Sequence, residues 1–161
     1  MSPALPADGS EAPRPLGIRR AGVHDVPELH ALAWASFEAE VAPHYSDEGV
    51  SEYRQFSSAE AIEERMAKGH DFWLVESPDG VALAMAEVRD GIHLAMLFVQ
   101  PGSCGQGTGS LLVDSLAARS ALPMTVCASV NAVGFYSKRG FEVAGPEQDE
   151  AGIRFVPMRK G

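Results

Sequence analysis

The chain has 161 residues, 45% hydrophobic and 22% charged, enough for one globular domain with a core of its own. Thirteen basic against 22 acidic side chains give a formal charge of −9, which excludes an overall basic footprint for nucleic acid or an anionic membrane. There is no apolar run near the roughly 20 residues of a membrane span, no basic-then-apolar leader pattern, and only two cysteines, Cys104 and Cys127. These points exclude a disulfide scaffold and imply a cytoplasmic protein with free thiols.

Residues 1–15 carry Pro3, Pro6 and Pro13 among small side chains and are expected to be a disordered tail ahead of a domain at 16–161. A first strand is expected over 16–20. Asp25-Val26-Pro27-Glu28 reads as a capping box, with Leu29, Leu32, Ala33, Ser36 and Phe37 at helical spacing behind it. Residues 43–56 read as a polar loop holding Tyr45 and Tyr53. Ser57-Ser58-Ala59-Glu60 gives a second capping box, with Ile62, Met66 and a terminal Gly69 outlining a second helix.

The period then changes. Residues 72–76 and 81–88 read as a hairpin around Ser77-Pro78-Asp79-Gly80, and Arg89-Asp90-Gly91 turns into a strand over 92–99. That strand is apolar on both faces, as a central strand covered on both sides should be. A glycine-rich loop leads into a helix over 108–120, which Leu122-Pro123 breaks. A strand at 124–129, a helix at 132–139 ended by Gly140, and strands at 141–144 and 153–158 complete the order β-α-α-β-β-β-α-β-α-β-β. The expected fold is a mixed α/β sheet rather than a doubly wound parallel one.

The segment Cys104-Gly105-Gln106-Gly107-Thr108-Gly109-Ser110 sits between a buried strand and a helix. Glycines allow close backbone approach, and a helix N-terminus offers unpaired N–H groups to an anion, most naturally a phosphate. A Walker A loop requires a lysine that is absent here. A dinucleotide fingerprint requires Gly-x-Gly-x-x-Gly and an acidic ribose ligand, and neither is present. A coenzyme A pyrophosphate loop and a ligand-free β-to-α turn remain.

A second segment, Asn131-Ala132-Val133-Gly134-Phe135-Tyr136-Ser137-Lys138-Arg139-Gly140-Phe141, follows the next strand. The two segments together resemble the GCN5-related N-acetyltransferase (GNAT) superfamily. Its cofactor loop, Gln/Arg-x-x-Gly-x-Gly/Ala, is matched from Cys104 to Gly109. Its later motif is matched by Asn131, Ala132, Phe135-Tyr136 and Gly140-Phe141. The resemblance implies the acyl-CoA N-acyltransferase fold, a mostly antiparallel sheet with flanking helices. It also implies acetyl transfer from acetyl-CoA directly to an amine acceptor. Cys104 departs from the family's Gln or Arg. One side-chain contact to the cofactor is lost there, while the backbone amides of Gly105, Gln106, Gly107, Thr108, Gly109 and Ser110 are expected to cradle the pyrophosphate. A thiol beside a helix N-terminus is either an oxidisable group or an inert small one.

The resemblance further places the thioester against backbone N–H groups of Leu97, Phe98 and Val99, with Asn131 at the cofactor. It places Tyr136 as donor to the departing thiolate, or as a simple hydrogen bond to the sulfur. Two residues compete for the general base. Ungapped counting puts His93 where some members carry a catalytic Glu, and alternation places it on one face with Ala95, Leu97 and Val99. Glu87 on the preceding strand is the other. Each has a plain alternative as a partly exposed strand-end side chain. Residues 42–56 are expected to wall the acceptor site. Asp47, Glu48 and Glu52 either attract a cationic acceptor or form a solvated face. Arg65, Lys68 and His30 read as surface residues. The histidines form no metal-ligand pair, so no metal is expected. The partners implied are a small-molecule or protein amine and, by family habit, a second copy in a homodimer. The other reading of the whole chain is a non-catalytic acyl-CoA-binding sensor module.

Overall fold

The computed structural model describes residues 16–102, 107–120, 123–150 and 152–161; the expected tail lies outside them. One sheet organises the chain. Its strands are β1 (Gly17–Arg20), β2 (Asp71–Glu76), β3 (Ala82–Arg89), β4 (His93–Val99), β5 (Met124–Ser129), β6 (Glu142–Val143), β7 (Gln148–Glu150) and β8 (Ile153–Lys160). They run β1-β2-β3-β4-β5-β8-β6, with β7 also on β8. Every pairing is antiparallel except β4 with β5, as the mixed-sheet reading requires. Asp90 and Gly91 both adopt positive φ, 56° and 74°, the two-residue turn that suits the strand twist between β3 and β4.

The two faces of the sheet hold separate cores. On one, α4 (Thr108–Arg119) and α5 (Val133–Lys138) bury Leu112, Val113, Leu116 and Tyr136 against Val75, Ala84, Ala86 and Leu94. On the other, α1 (Val26–Ser36) and α3 (Ala59–Ala67) bury Leu29, Leu32 and Ile62 against Phe72, Leu74, Met85 and Met96. β3 is therefore buried on both sides from Ala84 to Val88.

Three local expectations are corrected. Residues 43–56 are not simply a loop: α2 (Asp47–Phe56) forms there, capped by Ser46, whose hydroxyl accepts from the Gly49 amide at 3.1 Å. The signal lay in Val50, Tyr53 and Phe56 at threefold spacing, hidden among charged neighbours. The second cap is Ser58, which accepts from Ala61 N–H, while the Ser57 hydroxyl donates to the Tyr53 carbonyl. Asp25 precedes α1, yet its carboxylate does not cap it. It accepts from both Arg19 terminal nitrogens at 2.8 and 2.9 Å and from the Gly22 amide, because a bidentate charged partner outcompetes a neutral amide. The strand β7, all exposed and polar, carries no hydrophobic signal and went unpredicted.

Two features place the elements that matter below. α1 runs on into a π-helical turn over Phe37–Val41, a widening often found at functional sites. Gly49 and Gly152 meet so closely that a Cβ on Gly49 would strike the Gly152 carbonyl, and Gly152 itself holds a φ of 84°. The pair lets α2 lie directly against the β7–β8 turn.

Arg19 and the Gly22 amide hold the Asp25 carboxyl down at about 2. A depressed carboxyl stabilises the fold above its unfolded value and loses that contribution as pH falls through the folded one. Arg19 is 41% exposed, so screening leaves about 1–2 kcal/mol. Denaturant melts of wild type should weaken between roughly pH 4 and 2, and Asp25→Asn should remove that part of the slope.

Candidate active site

The parallel pairing of β4 with β5 ends almost as it begins: His93 faces Thr125, Leu94 faces Val126, and no further pair follows. β4 continues along β3 to Val99, and β5 continues along β8 to Ser129. Each strand follows its outer neighbour, so the two part. The gap opens into a cavity of about 290 Å³ that reaches both faces of the sheet, with Phe135 and Tyr136 on one side and Phe37 and Tyr53 on the other.

Leu97, Phe98 and Val99 line the cavity. The Gln100 amide donates to the Leu83 carbonyl of β3 at 2.7 Å. Strand alternation then turns Phe98 toward β3 and leaves the Leu97 and Val99 amides facing the gap. Two of the three expected backbone donors therefore point where β5 has left them without a ladder partner.

Below the gap, Gly107 takes a φ of 80° and starts α4 with no side-chain cap. The first helical bond runs from Leu111 to the Gly107 carbonyl, so the amides of Thr108, Gly109 and Ser110 have no helical partner. A Cβ on Gly109 would stand 3.0 Å from Val99 Cγ2, so glycine there brings the helix start close to β4. This is an anion-accepting helix end beside an open cleft, and it fits a pyrophosphate. Cys104, Gly105 and Gln106 lie outside the described residues.

Tyr136 is 5% exposed and packs edge-on against Phe135 and Phe141. Burial pushes its hydroxyl well above the ordinary tyrosine value. Among the described residues that hydroxyl has no hydrogen-bond partner, and the residue lines the cavity. Asn131 also lines it and donates from Nδ2 to the Glu40 carbonyl at 2.8 Å, tying the start of α5 to the π-helical turn.

The two expected bases are not brought to this cavity. The face that His93 was to share with Leu97 and Val99 does not exist. A bulge intervenes: Glu87 faces Met96 and Val88 faces Leu94, so Ala95 is an extra residue in β4. One inserted residue reverses the alternation. Leu94, Leu97 and Val99 pack on the α4 side, whereas His93 points the other way, half-buried, with Nδ1 at 2.8 Å from Thr125 Oγ1. Burial lowers its pKa. The sequence could not show a one-residue bulge.

Glu87 is fully buried rather than solvated at a strand end. Its Oε2 accepts from Arg65 Nε at 2.8 Å and lies 2.7 Å from His70 Nδ1, while Oε1 has no partner among the described residues. Arg65 is thus no surface residue. Its other nitrogens reach the Phe56 carbonyl and Met96 Sδ. The cluster joins α3 and the α3–β2 turn to β3 directly opposite the bulge, as a positioning device behind the cavity. The acidic residue that does border the cavity is Glu40, exposed at its rim, and missed in the sequence because it sits in the π-helical turn. Asp47, Glu48 and Glu52 lie on exposed positions of α2 away from it.

A central sheet parted between two parallel strands, with an uncapped helix end at the mouth, defines an acyl-CoA-type transferase site. Residues 41–161 match the family model described as an acetyltransferase (GNAT) domain, and the chain belongs to that family. A GCN5-related N-acetyltransferase from Rhodopseudomonas palustris aligns over 95% of this chain and 99% of its own, with TM-score 0.79 and 27% identity. The PaiA N-acetyltransferase of Thermoplasma acidophilum, solved with coenzyme A, aligns over 91% and 99% with TM-score 0.70 and 23% identity. Apo YjaB of Escherichia coli aligns over 91% and 97% with TM-score 0.72 and 22% identity. No curated protein sequence matches the chain.

Glu87→Ala leaves a buried guanidinium without its counter-charge. It should cost about 3–5 kcal/mol, read as a fall in melting temperature of roughly 10 °C. His93→Ala should leave the pH profile of kcat/KM unchanged, because His93 lies outside the cavity. Loss of a limb lying below the ordinary histidine range would return it to the site.

Proposed function

We propose that the chain transfers an acetyl group from acetyl-CoA directly to an amine, with Tyr136 as proton donor. The observation that carries the reading is Tyr136, a buried tyrosine whose hydroxyl stays protonated. It borders the cavity that opens between the Leu97 and Val99 amides of β4 and the parted β5. The coenzyme A complex of the Thermoplasma relative supports the cosubstrate, as does the uncapped start of α4.

Acetyl-CoA supplies an activated acyl carbon. The Leu97 and Val99 amides offer donors to the oxygen on which charge develops. The Thr108, Gly109 and Ser110 amides, with those of the preceding loop, hold pyrophosphate, and Asn131 fixes the wall facing it. The amine must lose a proton before it attacks, because a Lys-like ammonium is mostly protonated at neutral pH. Glu40, the acidic residue at the cavity rim, receives it directly or through solvent. As the nitrogen–carbon bond forms, the carbon–sulfur bond breaks. The acylated nitrogen sheds its remaining extra proton to solvent, and the departing sulfur takes the Tyr136 hydroxyl proton, which is replaced from solvent.

Tyr136→Phe keeps the ring packing and removes only the hydroxyl. It should lower kcat about 100-fold while calorimetric binding of acetyl-CoA stays as in wild type. Equal turnover in the two proteins would sink the donor role. Binding without turnover in wild type, over a broad amine panel, would mark the chain as a sensor module instead.

A further inference from the structure

Building on the acetyl-transfer reading, we propose that the acceptor is a primary amine carrying one positive charge on a small apolar, preferably aromatic, body. Its seat is the side of the cavity walled by Tyr45 and Tyr53, with Phe37 fully buried behind them. Tyr53 stacks on Phe37 with centroids 4.1 Å apart and planes 6° from parallel, and Phe98 meets it edge-on at 5.8 Å. Tyr45 stands edge-on to Phe37 at 5.4 Å. These rings hold one another fixed, so they present a preformed apolar wall rather than mobile side chains. Burial raises the Tyr45 and Tyr53 hydroxyls above their ordinary values, so neither offers a negative charge to an ammonium.

Charge sets the count. Among the described residues Glu40, exposed at the rim, is the one acidic residue bordering the cavity, enough for a single ammonium. A polyamine would bring further ammonium groups with no second acidic residue among the described lining to meet them, and desolvation would count against each. An apolar body instead exchanges water for ring contact. The cavity of about 290 Å³ must also admit the acyl end of the cosubstrate, which limits that body to about one ring.

The test uses the purified full chain at fixed acetyl-CoA and reads thiol release with 2-phenylethylamine, hexylamine, spermidine and a lysine peptide. In parallel, calorimetry measures 2-phenylethylamine binding in the presence of coenzyme A. The expected result is a kcat/KM for 2-phenylethylamine at least about tenfold above that for spermidine or the peptide. Tyr53→Ala, or Tyr45→Ala should the first fail to fold, should raise the KM for 2-phenylethylamine about tenfold without changing acetyl-CoA binding. Preference for spermidine or the peptide overturns the acceptor class and leaves acetyl transfer standing. Calorimetric binding of 2-phenylethylamine with no transfer to any amine supports the seat and overturns the acetyl-transfer reading. Neither binding nor transfer overturns both.

Discussion

The separation of β4 from β5 is the constraint on which the rest of the site depends. It costs backbone hydrogen bonds in the middle of a sheet, and it persists because each strand is held by its other neighbour over its whole length. The unpaired amides it leaves are a liability in a dry core and an asset beside a ligand. The cavity, the donors toward a developing negative charge and the passage from one face of the sheet to the other all follow from that parting. α4 starts at the same end, with Gly109 against Val99, so its unbonded first-turn amides lie beside the open gap.

The bulge at Ala95 sets which side chains accompany those amides. It sends Leu97 and Val99 toward α4 and Met96 and Phe98 toward α1 and α2. Phe98 thereby joins the ring cluster at the acceptor side. Behind the bulge, Glu87 gathers Arg65 and His70 with every distance under 3 Å. A buried ion cluster is poor evidence for net stability, because desolvation offsets much of its attraction. Its value here is positional: it fixes α3 and the α3–β2 turn against β3 at the register where β4 carries its extra residue. The Gly49–Gly152 contact does the same for α2, which carries Tyr53.

Much of this was legible in the residues. The Asp90-Gly91 turn, the glycine loop before α4 and the helix ending at Gly140 are signalled within a few positions of chain. So is the Asn131-to-Phe141 segment, whose Asn131 and Tyr136 both reach the cavity. Less legible was α2, where charged positions outnumber the three that pack. Glu40 was missed because a π-helical turn shifts the register of α1's continuation and brings the Glu40 carbonyl to Asn131 beside the cavity.

The sequence by itself determined most of the element order, the mixed sheet, the glycine-led start of α4 and the family, because turn chemistry, caps and hydrophobic period are properties of neighbouring residues. Only the tertiary structure decided that His93 turns away from Leu97, that Glu87 and Arg65 are buried partners, and that Glu40 is the acid at the cavity. Each of those depends on a one-residue shift in strand register or on contacts between segments distant in the chain. Such contacts are fixed by packing across the sheet rather than by any local pattern.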